Sequence, residues 1–137
     1  RSEFVYLVQP GLGIGTGATL TIEAGTVVKL WNSSNANLWV NGSLVVDGHS
    51  SSTLINFTSI KDDAFGGDSN NDGSATSPDS TVGEWHSIVL APGSNSVIKY
   101  ANFHYGGYRP FEPGRDRLKS FDVREGANYE MEYVAIY

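Results

Sequence analysis

The sequence predicts an all-β chain wound as a solenoid of few turns, with a long acidic loop inserted between strands. Three observations predict it. Apolar residues come in short runs of period two, bounded by glycine-rich turns. Strand–turn–strand units recur at fixed offsets along the chain. Helical periodicity is absent even around the one motif that normally sits between helices.

The chain has 137 residues, 39% of them apolar, which suits a single domain with an efficiently built core. Charged residues make up only 18%, and there are 16 glycines. Such a composition favours short strands joined by many turns. A net charge of −6 argues against nucleic-acid partners and against an anionic membrane surface, both of which need a basic face. No run approaches the roughly 20 apolar residues of a membrane-spanning helix. Cysteine is absent, which fits a reducing compartment and equally fits bacterial extracellular proteins stapled by metals. Both ends of the sequence fall close to apolar runs, as expected for a piece of a longer protein.

The first repeat lies in the first half. ATLTIEAGTVV (Ala18 to Val28) aligns without a gap on ANLWVNGSLVV (Ala36 to Val46) at an offset of eighteen. Leu20 then meets Leu38, Ile22 meets Val40 and Val28 meets Val46, which predicts that these pairs stack. TLINFTSI starts a third unit. In the second half, IKYANFHY (Ile98 to Tyr105) aligns on MEYVAIY (Met131 to Tyr137) at an offset of thirty-three. The longer period is explained by an inserted loop at 106–119, rich in glycine, proline and charge. One such unit cannot bury its own apolar side, so copies must stack in parallel, about 4.8 Å apart. An antiparallel sandwich is the rival fold; the ungapped repeat with constant phasing favours the solenoid.

The string LTIEAGTVVKL…LWVNGSLVVDG…INFTSIKDD…GGDSNNDG…GEWHSIVL…IKYANFHYGG resembles the bacterial right-handed parallel β-helix repeat proteins, solenoids of the pectin-lyase-like kind. The resemblance runs from about Thr16 to Gly107 and returns at the end. His86-Ser87 stand where that group usually carries a further glycine. The resemblance implies a right-handed parallel β-helix and a secreted or cell-surface location. It names no reaction, because this fold carries lyases, hydrolases, adhesins and spacers alike.

The acidic loop at 59–84 holds Asp62, Asp63, Asp68, Asp72 and Asp79, with Lys61 as the one lysine to offset them. Within it, DSNNDG (Asp68 to Gly73) matches the first half of a calcium loop. Asp68, Asn70 and Asp72 take the alternating oxygen positions, Gly73 the sharp turn, Ser74 a backbone-carbonyl position and Asp79 the last position. Asp62 and Asp63 at the base would complete a calcium shell. Magnesium is disfavoured by its strict octahedral demand. Zinc is disfavoured by the lack of cysteine and of spaced histidines. The competing reading is a solvated acidic turn that holds no ion.

Catalytic candidates are weak: Glu84, His86 and Arg109, the last within a charged cluster better read as an exposed loop. If the chain is catalytic, it belongs to a polysaccharide lyase or glycoside hydrolase. Trp39, Tyr105 and Tyr108, with Trp31, are candidates for stacking on a sugar, and Trp39 should point outward as Thr21 does one turn earlier. Trp85 should point inward, and His104 should lie on an exposed lateral face. No threonine ladder forms, which sets ice binding aside. The sequons at Asn32, Asn41 and Asn56 are weak signals. Expected partners are polysaccharide or cell-surface glycans, neighbouring domains of the same parent chain, and copies of itself through the solenoid ends. Together these features point to a calcium-stabilised structural or adhesive module, with a carbohydrate-active enzyme or carbohydrate-binding module as the alternative.

Overall fold

The computed structural model describes residues 4–108 and 120–137. Among them there is no helix, and eleven strands form two parallel sheets that curl into a half-barrel. This arrangement is compatible with a solenoid. The chain visits the sheets in a repeating cycle. β1 (Val5–Val8), β4 (Val27–Leu30) and β7 (Ile55–Ser59) lie side by side in the larger sheet. The smaller sheet holds β2 (Leu12–Ile14), β5 (Ser33–Val40), β8 (Trp85–Leu90) and β10 (Phe121–Val123). The larger sheet then resumes with β3 (Thr19–Ile22), β6 (Ser43–Asp47) and the first half of β9 (Asn95–Phe103), with β11 (Asn128–Ile136) beside β9.

β9 joins two flanks of the larger sheet. Its first half pairs with β6 and its second half with β7. The bend between them falls at Tyr100, whose φ is +51°, and β11 repeats it at Tyr133 with φ +52°. A left-handed conformation costs an ordinary residue on the order of 1 kcal/mol. Here the two rings stack, 4.7 Å apart and 15° from parallel, which offsets part of that cost.

Parallel register places like residues in columns that fill the interior. Leu12, Leu38, Ile88 and Phe121 form one column across the smaller sheet, and Ile14, Val40, Leu90 and Val123 another. In the larger sheet, Val28, Phe57, Phe103 and Ile136 follow one another, and so do Ile22, Val46, Ile98 and Met131. The middle members of these columns are buried in one continuous core. At the outermost strands, inward positions such as Tyr6 and Tyr129 stay exposed. The tight corner after β5 requires Gly42, because a Cβ there would run into the carbonyls of Gly15 and Ala18.

The offset of thirty-three is the structural register: Ile98 pairs with Met131 and Phe103 with Ile136. The offset of eighteen is not. Leu20 lies beside Leu44 and Ile22 beside Val46, at an offset of twenty-four, while Leu38 and Val40 belong to the other sheet. The reason is physical. Every flank of a parallel stack uses the same strand–glycine–strand chemistry, so consecutive flanks resemble each other as closely as successive cycles do. Accordingly, Trp39 points outward but is flanked by Gly13 and Val89 rather than by Thr21. His104 is also not freely exposed: its ring stacks on Tyr137 at 4.7 Å and meets Phe65 at 4.8 Å. The acidic loop fills the interval from β7 to β8 with turns and bends alone. Most of the second expected insertion, at 106–119, lies outside the described residues.

Candidate metal centre

The acidic loop is fastened at its base by buried polar contacts. Glu84, only 2% exposed, accepts hydrogen bonds from the Asn32 side-chain amide and, at 2.8 Å, from the Asp79 backbone N–H. It also forms an ion pair with Lys61 at 3.1 Å. Asp62 is buried as well: its carboxylate accepts from the Thr58 hydroxyl and, at 3.1 Å, from the Ala64 N–H. Buried polar groups must find such partners or destabilise the fold. Each of these partners is supplied by a strand end or by the loop itself.

From this base the chain rises into DSNNDG. Asp68 accepts hydrogen bonds from the backbone N–H groups of Asp72, at 3.1 Å, and Gly73, at 2.8 Å. Asp72 in turn accepts from the N–H groups of Ser74 and Ala75, each at 3.0 Å, and of Thr76 at 3.1 Å. The Thr76 hydroxyl and the Asn70 side-chain amide also donate to it. The Thr76 hydroxyl bond, helped by the backbone donors, holds the Asp72 carboxyl below its ordinary acidity range. Left-handed φ values at Asn71, Gly73 and Ser74 wind this run tightly.

The winding brings Asp63, Asp68 and Asp72 together, one carboxylate oxygen from each lying within 4.8 Å of the others. Two oxygens of the loop, Asp63 Oδ1 and Asn70 Oδ1, are shielded from solvent and have no hydrogen-bond partner among the described residues. Three carboxylates, with the Asn70 carboxamide alongside, suit a hard oxygen-seeking cation of flexible coordination. The donor set holds neither sulfur nor imidazole and so does not suit zinc.

Two other aspartates expected in a metal shell, Asp62 and Asp79, lie outside this triad. The Asp62 carboxylate is occupied by Thr58 and Ala64, outside the triad. Asp79 accepts from the Thr81 N–H at 2.8 Å and the Thr81 hydroxyl at 2.7 Å, bonds that hold its carboxyl below the ordinary range. Ser74 lies in the loop with φ +78°.

One participant was not anticipated from the sequence. Lys29, in β4, is fully buried and donates to the backbone carbonyls of Asp62, at 2.8 Å, and Gly67. Lys61 is therefore not the loop's only cation. The signal was a lysine in the otherwise apolar run VVKL, at a position whose side chain leaves the core for the flank that the loop covers.

Of the catalytic candidates, Glu84 is saturated by its base contacts, and His86 Nδ1 lies 2.9 Å from the Ser87 hydroxyl. Arg109 lies outside the described residues. Trp85 is fully buried, and its indole N–H donates to the His104 carbonyl at 2.8 Å. The aromatic candidates do not form a row. The Tyr108 backbone binds the carbonyl of Trp85 at the start of β8, whereas Trp39 sits opposite Val89 near its end, about 13 Å along at strand rise. Trp39 is 40% exposed and carries the Arg124 guanidinium 5.7 Å above its ring. Tyr105, left-handed at φ +59°, turns the chain after β9. An apolar cavity of about 410 Å³ opens beside β1 and β3, lined by Tyr6, Val8, Leu12 and Leu20 among others. No helix among the described residues is long and apolar enough to cross a membrane.

Comparison of the chain with protein-family models, with curated proteins and with solved structures gives no match.

Proposed function

We propose that the chain is part of a right-handed parallel β-helix that serves as a calcium-stabilised structural or adhesive module of a secreted or cell-surface bacterial protein. The observation that carries this reading is the Asp63–Asp68–Asp72 cluster, with Asp63 Oδ1 and Asn70 Oδ1 lacking a partner among the described residues. Three carboxylates held this close repel one another, and a divalent cation among them removes that cost. Asp63 lies at the foot of the loop, while Asp68 and Asp72 lie in its wound tip. An ion shared by all three ties tip to foot. The parallel columns supply the stiffness of a spacer, and the outermost strands leave edges that neighbouring domains or further copies can extend.

A site of extracellular strength, with a dissociation constant of about 0.1–1 mM, is well filled where calcium is abundant. At ten times its dissociation constant, calcium adds about 1.4 kcal/mol of stability. The test is a thermal melt with about 2 mM calcium and with excess EDTA, repeated on Asp68→Ala/Asp72→Ala. A rise of several degrees that the double variant loses supports the reading. Equal melts in calcium and EDTA remove the metal and leave an acidic loop without an ion.

A second reading, a carbohydrate-binding module or part of a polysaccharide lyase or glycoside hydrolase, rests on one feature, the exposed Trp39 ring beneath Arg124. Glycan binding that Trp39→Ala abolishes would favour it.

A further inference from the structure

We infer that Lys29 is a protein-borne cation that seats the acidic loop on the larger sheet, in the structural role that a metal would otherwise take at the loop's foot. The argument begins with burial. Lysine is almost never fully buried without a partner, because a desolvated ammonium is costly. Lys29 is 0% exposed, yet it lies on the face of β4 that points away from the core. The acidic loop meets it there, through the carbonyls of Asp62 and Gly67.

The register explains the grip. Lys29 pairs with Thr58 on the neighbouring strand β7. These two adjacent residues hold the same loop residue from two sides: Lys29 Nζ donates to the Asp62 carbonyl, and the Thr58 hydroxyl donates to the Asp62 carboxylate. The second carbonyl on Lys29, from Gly67, lies immediately before DSNNDG. One ammonium thus fixes the loop at two points that enclose Asp63 and precede Asp68. Burial pulls the ammonium below the ordinary lysine value, while the charges of Asp62, Asp63 and Asp68 act in the opposite direction and help keep it charged. The role concerns the foot of the loop and stands whether or not calcium occupies the tip.

The test is hydrogen–deuterium exchange on the whole chain in excess EDTA, comparing the native protein with Lys29→Met and Lys29→Gln. Lys29→Met keeps the length and apolar stem but removes the donor. Lys29→Gln keeps a shorter neutral donor. Amides from 62 to 68 should exchange at least about tenfold faster in Lys29→Met, with a smaller gain in Lys29→Gln, while β4, β7 and β8 keep their native protection. Unchanged rates over 62–68 would overturn the inference. So would equal acceleration along the whole chain, or failure of both variants to fold, because either result would make Lys29 a global stabiliser rather than a seat for the loop.

Discussion

Lys61 Nζ lies 3.1 Å from Glu84 Oε2, and these residues stand at the two ends of the acidic loop. The pair closes that loop much as a clasp would, with Asn32 from the neighbouring cycle and the Asp79 N–H completing the carboxylate's partners.

Glu84→Ala should therefore be costly, because the carboxylate is buried. Breaking a fully buried ion pair costs about 3–5 kcal/mol, but the Lys61 side chain is 28% exposed and recovers part of its hydration. The expected loss is about 2 kcal/mol, a fall in Tm of roughly 5–10 °C for a chain of this size. Glu84→Gln, which keeps an acceptor, should lose less. A Glu84→Ala protein melting within 1 °C of the native one would show that the clasp contributes nothing.

The cluster geometry separates two aspartates that look equivalent in sequence. Asp63 joins Asp68 and Asp72 in the triad, whereas Asp79 lies outside it beside Thr81. Asp63→Ala should abolish most of the calcium-dependent rise in Tm. Asp79→Ala should leave that rise intact, although it lowers the baseline slightly by releasing Thr81. Equal effects from the two would mean that the ion is not bound by the triad.

What was legible in the sequence follows the physics of each element. Period-two alternation and the thirty-three-residue match placed β9 and β11 in correct register, because Tyr100 and Tyr133 mark the same bend in both. The eighteen-residue match misled because strands of different flanks obey the same pattern. The tight winding of DSNNDG was legible since its hydrogen bonds are local, each spanning a few residues. Lys29 was not, because its partners lie 33 and 38 residues away and are backbone carbonyls, which carry no residue identity. Asp62 and Asp79 were likewise read by charge, while the structure assigns them by whichever hydroxyl folds next to them.

The core makes a sharper demand than the loop. Phe57 and Phe103 are fully buried and stacked at 4.6 Å, and Phe121 meets Phe103 edge-on at 69°. Truncating Phe57 opens a cavity between three cycles that parallel strands cannot close without losing register. Phe57→Ala should cost about 3–5 kcal/mol, and Phe57→Leu clearly less. Urea unfolding measures this directly, and a shift below 1 kcal/mol for Phe57→Ala would show that the stack is not the centre of the core.

His104 links the core to pH. Its ring lies between Tyr137 and Phe65, and its Nε2 is shielded with no partner among the described residues. Burial lowers its pKa from 6.5, and the charge of Asp62 opposes the shift only in part. The unfolded chain therefore takes up a proton at higher pH than the folded one. Stability is fully present above about 6.5 and declines as pH falls below it, until the folded ring also protonates. Asp72 and Asp79 do not imitate this: their carboxyls are held below 3.8, so their contribution is lost only in stronger acid. His104→Phe keeps an aromatic ring in the stack and removes the titration. Urea midpoints measured from pH 7.5 to 5 should fall in the native protein and fall less in His104→Phe. Parallel curves would show that the ring accepts its proton equally well folded and unfolded.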